Sequence, residues 1–191
     1  MLRRFALFGA ANVLLAACTS PVSGGLSNKD KAYQKKVTRV LVATSFHSLL
    51  LTEKQNNVFI QPSELQQSLT AKWSPLGVTW QVVDFDAVTD KKKALVDAVE
   101  SFAPTQVLEL HTASFQLIGG VIRVVDGYTV DVSLTDLAEK KRVWRSTIEF
   151  RSFAASGRLR NGPAGSAIPH QEDANELVDA LTAKLRGDGL L

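Results

Sequence analysis

The fold is decided by VDVSLTD, residues 130–136, and VWRSTIEFRSF, residues 143–153. In the first stretch valine and leucine alternate with aspartate, serine and threonine, and the second alternates in the same way from Trp144 to Arg151. Successive side chains of a strand point to opposite faces, so this period of two predicts two strands with one buried and one wet face. One-sided strands are typical of antiparallel sheets. The charged residues 136–142 predict the turn between them.

The preceding stretch, residues 106–118, extends this strand-rich half towards the middle of the chain. Its apolar residues predict a long strand, and Gly119 and Gly120 permit a bend or bulge after it. Asp126 and Gly127 stand between two valine-rich segments and predict a hairpin turn. We therefore expect antiparallel hairpins throughout residues 106–153.

The first half of the chain differs from residues 106–153, because strand and helix patterns alternate along it. VLVA, residues 40–43, is a continuous apolar run that favours a strand buried on both faces. Pro62 suits a first helical turn, and the apolar spacing after it predicts a helix ended by Gly77. Residues 78–85 return as a strand, and Asp90 can cap the next helix. The apolar stripes of these two helices are Leu65, Leu69, Trp73 and Leu76, then Leu95, Val99 and Phe102.

A last helix closes the chain and is predicted to end at Gly187. Its apolar stripe is Ala174, Leu177, Val178, Leu181 and Leu185. The fold class predicted is therefore α+β with an α/β first half: a mixed sheet with a β-α-β-α-β start, antiparallel hairpins and a C-terminal helix packed on the sheet. Residues 37–191 are expected to form this single domain.

Residues 18–36 are polar and contain Pro21, Gly24, Gly25 and several lysines. Such a stretch buries too little apolar surface to order itself, and we expect a flexible tether. Residues 1–17 have the layout of a signal peptide: Arg3 and Arg4, then an apolar run, then small residues. The apolar run of residues 5–17 is shorter than the roughly 20 residues that span a bilayer.

LAAC, residues 15–18, resembles the lipobox of bacterial lipoproteins. The resemblance implies cleavage between Ala17 and Cys18, a diacylglycerol thioether on Cys18 and acylation of the new amino terminus, for example by palmitate. Thr19 follows the cysteine, and by analogy with known lipoproteins this favours the outer membrane, with the domain facing the periplasm. No cofactor is expected besides the covalent lipid.

Composition narrows the classes of function. The formal charge of +3 includes Arg3 and Arg4, so the chain after residue 17 has 20 basic against 19 acidic side chains. A chain with so balanced a charge lacks the concentrated positive field that nucleic-acid binding requires. Cys18 is the only cysteine, which excludes an intramolecular disulfide.

The order of elements is similar to that of the α/β lipoproteins related to the TolB amino-terminal domain, the curli-assembly lipoproteins and the penicillin-binding-protein activators. In those families a strand ends in Leu-x-Asp and the next opens with Val-Trp, as residues 134–136 and 143–144 do here. The resemblance implies an α/β domain that docks to another envelope component.

A ligand rim is the main candidate for chemistry. Ser45 and His47 follow the first strand, Asp84 and Asp86 end the second, and His111 lies on the third. If these strands are parallel, their carboxyl ends share one rim, where open α/β sheets bind ligands. His47, Asp84 and His111 are the candidates for a hydrolase or metal site. Caps and loop hydrogen bonds are the plainer interpretation, and the sequence contains no motif of a known hydrolase or metalloprotein.

Other side chains have two readings each. Arg158 and Arg160, in a glycine-rich segment, are candidate contacts for anions, or keep that segment soluble. Trp73 and Trp144 have the spacing of core residues, although tryptophan also anchors partners. The basic run at residues 91–93 near a helix start suits either lipid headgroups or solvent.

The sequence predicts a lipid-anchored envelope lipoprotein that is not an enzyme and that docks to a protein partner, with a transporter or a secretion or assembly complex as the candidates. A first alternative is an accessory lipoprotein of a lipid or lipopolysaccharide transport system, which requires an apolar groove. A second is a hydrolase or metal-binding protein that uses the His/Asp rim.

Overall fold

The computed structural model describes residues 23–46, 60–118, 124–151 and 170–191. The strands are Ser23–Lys29 (β1), Arg39–Ser45 (β2), Thr79–Asp84 (β3), Gln106–Ile118 (β4), Val124–Asp136 (β5) and Lys141–Arg151 (β6). The helices are Pro62–Trp73 (α1), Lys91–Phe102 (α2) and His170–Gly187 (α3). None of the described helices has the length and apolarity needed to cross a membrane.

The six strands form one mixed sheet in the order β1-β6-β5-β4-β2-β3. β2 is parallel to both of its neighbours, β3 and β4, whereas the other neighbouring pairs are antiparallel. The predicted α+β class is confirmed: β2-α1-β3-α2-β4 is the alternating start, the long antiparallel strands follow, and α3 packs on the sheet.

The two faces of the sheet are covered unequally. Val40 and Val42 of β2 join the main core with α1 and α3, whereas Leu41 and Ala43 join a smaller core with Ala98 of α2. Because alternate residues of a strand face opposite ways, α2 lies on the opposite face from α1 and α3. β2 is thus buried on both faces, as its apolar run predicts.

The helix boundaries follow their local signals. Pro62 is in the first turn of α1, and the Asp90 carboxylate accepts a 2.9 Å hydrogen bond from the backbone N–H of Lys93 at the start of α2. Leu76 lies outside α1, in a 3₁₀ turn that leaves it 40% exposed. α3 includes Gly187, and the left-handed residue after it is Gly189 (φ 69°).

The predicted tether is wrong for residues 23–36, because the sheet begins at Ser23. β1 pairs with β6 through backbone hydrogen bonds, which need no apolar side chains. A Cβ atom on Gly25 would lie 2.3 Å from the carbonyl oxygen of Thr147, so the close approach of the two strands requires glycine there. Tyr33, also in the predicted tether, is buried in the main core.

The predicted hairpin turn at Asp126 and Gly127 is also wrong, since both residues lie within β5. Gln116 pairs with Gly127 and Leu117 pairs with Val125, so Asp126 is an extra residue without an opposite partner. This is a β-bulge, the other structure that glycine within a strand indicates.

Candidate functional site

The carboxyl ends of β2 and β3 meet at one rim, as the sequence predicts, whereas β4 passes this rim at His111 and continues to Ile118. Thr44 pairs with Asp84, and Ser45 pairs with His111. The connection from β2 runs through α1 to β3, and the next runs through α2 on the other face back to β4. β2 and β4 therefore flank the point where the direction of winding changes, which is where open α/β sheets place ligand crevices.

Two aspartates of the rim hold its loop together. Ser45 Oγ donates a 2.9 Å hydrogen bond to Asp86 Oδ1, and the backbone N–H of Phe46 donates to Asp86 Oδ2 at 2.6 Å. The backbone N–H of Asp86 in turn donates to Asp84 Oδ1 at 3.0 Å. These contacts join the end of β2 to the turn after β3, so the plainer interpretation of Asp84 and Asp86 holds in the structure.

A cavity of about 320 Å³ opens beside this rim on the α2 side of the sheet. Ser45, His111, Glu109 and Lys91 are among its lining residues. Glu109 accepts a 3.0 Å hydrogen bond from Ser133 Oγ. The cavity offers a small polar ligand both signs of charge, but among the described residues no serine hydroxyl that lines it is hydrogen-bonded to histidine.

The predicted ligand set comes together only in part. His111 lines the cavity, whereas Asp84 is at the neighbouring strand end and is not among the lining residues. His47 lies outside the described residues, as do the candidate anion contacts Arg158 and Arg160 and the predicted cleavage and acylation site Ala17 and Cys18. Within the described ranges, no group of three histidine, cysteine, aspartate or glutamate residues is arranged to hold a metal ion.

On the α2 side of the sheet, none of the described helices packs on β5 or β6. α2 packs on the part of the sheet around β2, whereas the alternate residues of β4, β5 and β6 on that side form cross-strand rows that are polar. His111 pairs with Asp131, which pairs with Thr147, and the Thr147 hydroxyl donates to Asp131 at 3.0 Å. We call this surface the open face, and it comprises Glu109, His111, Asp131, Ser133, Arg145 and Thr147.

Both candidate aromatic anchors belong to the core. Trp73 is fully buried and its indole N–H donates a 2.8 Å hydrogen bond to Thr182 Oγ1. Trp144 is 1% exposed and its indole N–H donates to Asp188 at 2.6 Å. The plainer interpretation, core packing, is confirmed for both residues. In the basic run, Lys93 forms an exposed ion pair with Asp97 one helical turn away.

A buried polar cluster at the opposite end of the parallel strands was not predicted. It consists of Tyr33, Gln106 and Asp136. Lys35 lies at the surface, and its Nζ is 3.0 Å from Asp136 Oδ2. Burial raises the pKa of Asp136, but hydrogen bonds from the Glu139 backbone, Lys35 and Tyr33 outweigh it and hold that pKa below its usual value. The cluster fixes the segment between β1 and β2, and a tyrosine within a polar stretch was its only signal in the sequence.

No family model matches the chain, and no curated protein matches it. Solved structures similar to it include the PelC dodecamer from Paraburkholderia phytofirmans, at 15% identity and a TM-score of 0.45, over 82% of this chain and 96% of that one. Another is lipoprotein GNA1162 from Neisseria meningitidis, at 14% identity and a TM-score of 0.38, over 78% and 99%. A third is the LpoB C-terminal domain from Salmonella enterica, at 12% identity and a TM-score of 0.25, over 59% and 82%. The similar structures thus include a bacterial lipoprotein.

Proposed function

We propose that this chain is an outer-membrane lipoprotein, anchored through an acylated Cys18, that acts in the periplasm as a non-enzymatic docking factor for a cell-envelope protein complex. The observation that carries the proposal is the open face. Two side-chain hydrogen bonds cross it, from Ser133 on β5 to Glu109 on β4 and from Thr147 on β6 to Asp131 on β5. A surface whose side chains are held in place by paired strands can dock a protein partner without rearranging its backbone.

The lipid anchor compensates for the low affinity of a weak docking surface. Acyl chains confine the domain to a thin layer at the membrane, which raises its effective concentration towards a partner in the same envelope. The lipobox-like sequence ending in Cys18 supports this part of the proposal.

The absence of catalysis is part of the same proposal. Two of the rim residues that suggest a hydrolase form structural hydrogen bonds instead. The Ser45 hydroxyl donates to Asp86, and Asp84 accepts a hydrogen bond from the backbone N–H of Asp86. A serine nucleophile needs a base at its hydroxyl, usually histidine. The hydrogen bond from Ser45 to Asp86 therefore favours a structural role for this hydroxyl.

Site-specific photocrosslinking in intact cells tests the docking face. A photoreactive amino acid replaces His111 on the open face, and in a matched variant it replaces Gln67, an exposed residue of α1 on the helical side. We expect a discrete crosslinked envelope protein from position 111 and none from position 67. The crosslink should be lost when Cys18→Ala removes the anchor. Equal capture from both positions, or capture that survives Cys18→Ala, contradicts the proposal.

A further inference from the structure

A β-bulge turns two arginines of β6 towards the open face. Arg142 pairs with Thr135, and Trp144 pairs with Leu134, so Val143 is an extra residue in β6. Val143 and Trp144 are both buried in the main core. In a regular strand Arg142 and Arg145 would point to opposite faces, since they are three residues apart. The bulge places both of them along one cavity.

This cavity has a volume of about 630 Å³ and lies where β1 meets β6 on the open face. Its charged lining residues are Arg142, Arg145 and Asp131. Asp131 already accepts a hydrogen bond from Thr147, whereas neither arginine side chain forms a hydrogen bond or ion pair with another residue of the described ranges. Two guanidinium groups without protein partners at one cavity suit a phosphate group, which they can bind in a bidentate manner.

An exposed apolar side chain lies at the same cavity. Leu26 is 95% exposed and follows Gly25 in the irregular part of β1, between the paired residues Gly24 and Ser27. Leu26 also lines the cavity. A fully exposed leucine beside basic side chains is the combination that favours the boundary between lipid headgroups and acyl chains.

The position of β1 in the chain brings this corner near the membrane. Cys18 precedes Ser23, the first residue of β1, by five residues, which span at most about 18 Å when fully extended. An acylated Cys18 therefore keeps the β1 edge of the sheet close to the headgroups of its own membrane.

From these observations we propose that Arg142, Arg145 and Leu26 seat the domain on anionic phospholipid headgroups of the membrane that holds Cys18. The proposal rests on the acylation of Cys18 proposed above. The contact uses the β6 side of the open face, two strands away from His111 on β4.

A spin label at position 26 of the acylated protein tests the contact. Cys18 is the only cysteine and acylation consumes its thiol, so Leu26→Cys supplies one reactive thiol for a nitroxide. The labelled protein is reconstituted into vesicles of phosphatidylethanolamine with phosphatidylglycerol, and separately into vesicles of phosphatidylcholine. Collisions of the nitroxide with a water-soluble nickel chelate and with lipid-soluble oxygen report its depth. The same label at Gln67→Cys, on the helical side, serves as the reference position.

We expect the label at position 26 to be shielded from the nickel chelate in the anionic vesicles only, and the label at position 67 to stay accessible in both. Arg142→Gln combined with Arg145→Gln should abolish the shielding. Each basic side chain at an anionic surface contributes about fivefold to binding, so the pair should lower the ratio of seated to unseated domain about twenty-five-fold. Lys72→Gln with Arg186→Gln is the matched control, because it removes two exposed positive charges on the helical side and should leave the shielding unchanged.

The remaining outcomes separate the two proposals. A label equally exposed in both vesicles, on protein that is recovered with the lipid, overturns the seating but leaves the anchor intact. Protein that is not recovered with the vesicles and keeps a free thiol at Cys18 overturns the anchor and the seating together. Equal loss of shielding in both double variants indicates general charge attraction and overturns the site. Shielding that rises with protein density in either lipid indicates contact between two copies of the chain and overturns the lipid as occupant.

Discussion

The Tyr33 hydroxyl donates a 2.8 Å hydrogen bond to Asp136 Oδ2, joining the segment after β1 to the last residue of β5. Gln106 Nε2, at the start of β4, donates to the same hydroxyl at 2.7 Å. All three side chains are at most 3% exposed. The cluster therefore ties the N-terminal segment to two neighbouring strands at the end of the sheet opposite the rim.

Tyr33→Phe should lower the free energy of unfolding by about 2 kcal/mol, because it removes a hydrogen bond to a buried carboxylate and leaves the Gln106 amide without that acceptor. Urea denaturation followed by circular dichroism measures the change. Thr70→Ala, which removes an exposed hydroxyl of α1, should stay within about 0.5 kcal/mol of the unchanged protein. A Tyr33→Phe protein as stable as this control would show that the cluster contributes nothing.

The same cluster predicts how stability depends on acid. The pKa of Asp136 is lower in the folded chain than its ordinary value of 3.8. Its stabilising contribution is therefore complete above that value and is lost as the pH falls through the folded pKa, where the unfolded chain binds the proton more readily. Asp136→Asn should lower the free energy of unfolding at neutral pH. Below about pH 4 the free energy of unfolding should fall less in this variant than in the unchanged protein. Urea denaturation across this pH range measures both effects, and an unchanged acid slope in Asp136→Asn would contradict the assignment.

The parts of the fold that were predictable from sequence are those with a local cause. The period of two in residues 130–136 and 143–151 follows from burial on one face only. Pro62 and Asp90 mark helix starts, because proline lacks the N–H that a first turn leaves unpaired and the Asp90 carboxylate accepts a hydrogen bond from such an N–H. The parallel pairing that brings Ser45 beside His111 was predictable too, since alternating strands and helices imply it.

The errors have physical reasons in particular residues. β1 has no apolar period because backbone hydrogen bonds to β6 hold it, and Tyr33 meets Asp136 across 103 residues of chain. The sequence could not decide between a turn and a bulge at Gly127, because both use the conformational freedom of glycine. The bulge at Val143 likewise depends on pairing with β5, so the shared orientation of Arg142 and Arg145 was not predictable from their spacing.

Gly25→Ala should detach or strain β1. The added Cβ atom would lie 2.3 Å from the Thr147 carbonyl oxygen, which is backbone and cannot rotate away. We expect a loss of about 1–3 kcal/mol in the free energy of unfolding, as for other overpacked sites. The rates of hydrogen exchange of the β1 and β6 amides should rise selectively, because the clash lies between these two strands.

Gly187→Ala is the matched change for comparison. An added Cβ atom at Gly187 meets nothing within 4 Å, and the residue lies at the end of α3 with no positive φ angle. Alanine favours helix over glycine by up to about 1 kcal/mol, so this variant should be unchanged or slightly more stable. If both substitutions had the same effect, close packing of Gly25 on Thr147 would not be the cause.

Trp73 and Thr182 should be energetically coupled, because they join α1 to α3 through one buried hydrogen bond. The Thr182 hydroxyl accepts from the Trp73 indole N–H at 2.8 Å and donates to the Val178 carbonyl oxygen at 2.6 Å. Thr182→Val keeps the volume and removes the acceptor, whereas Trp73→Phe removes the donor and leaves a void. A double-mutant cycle cancels the void, and we expect a coupling of about 1 kcal/mol.

Thr182→Ser distinguishes the hydrogen bond from packing, because serine keeps the hydroxyl and loses the methyl group. Its cycle with Trp73→Phe should give a coupling energy near zero, because the hydrogen bond is still present in Thr182→Ser and Trp73→Phe removes it from both backgrounds. The Thr182→Val protein combined with Trp73→Phe should instead lose less stability than the two single changes added together. If the losses of Thr182→Val and Trp73→Phe were additive within about 0.4 kcal/mol, the indole N–H would contribute nothing to the association of α1 with α3.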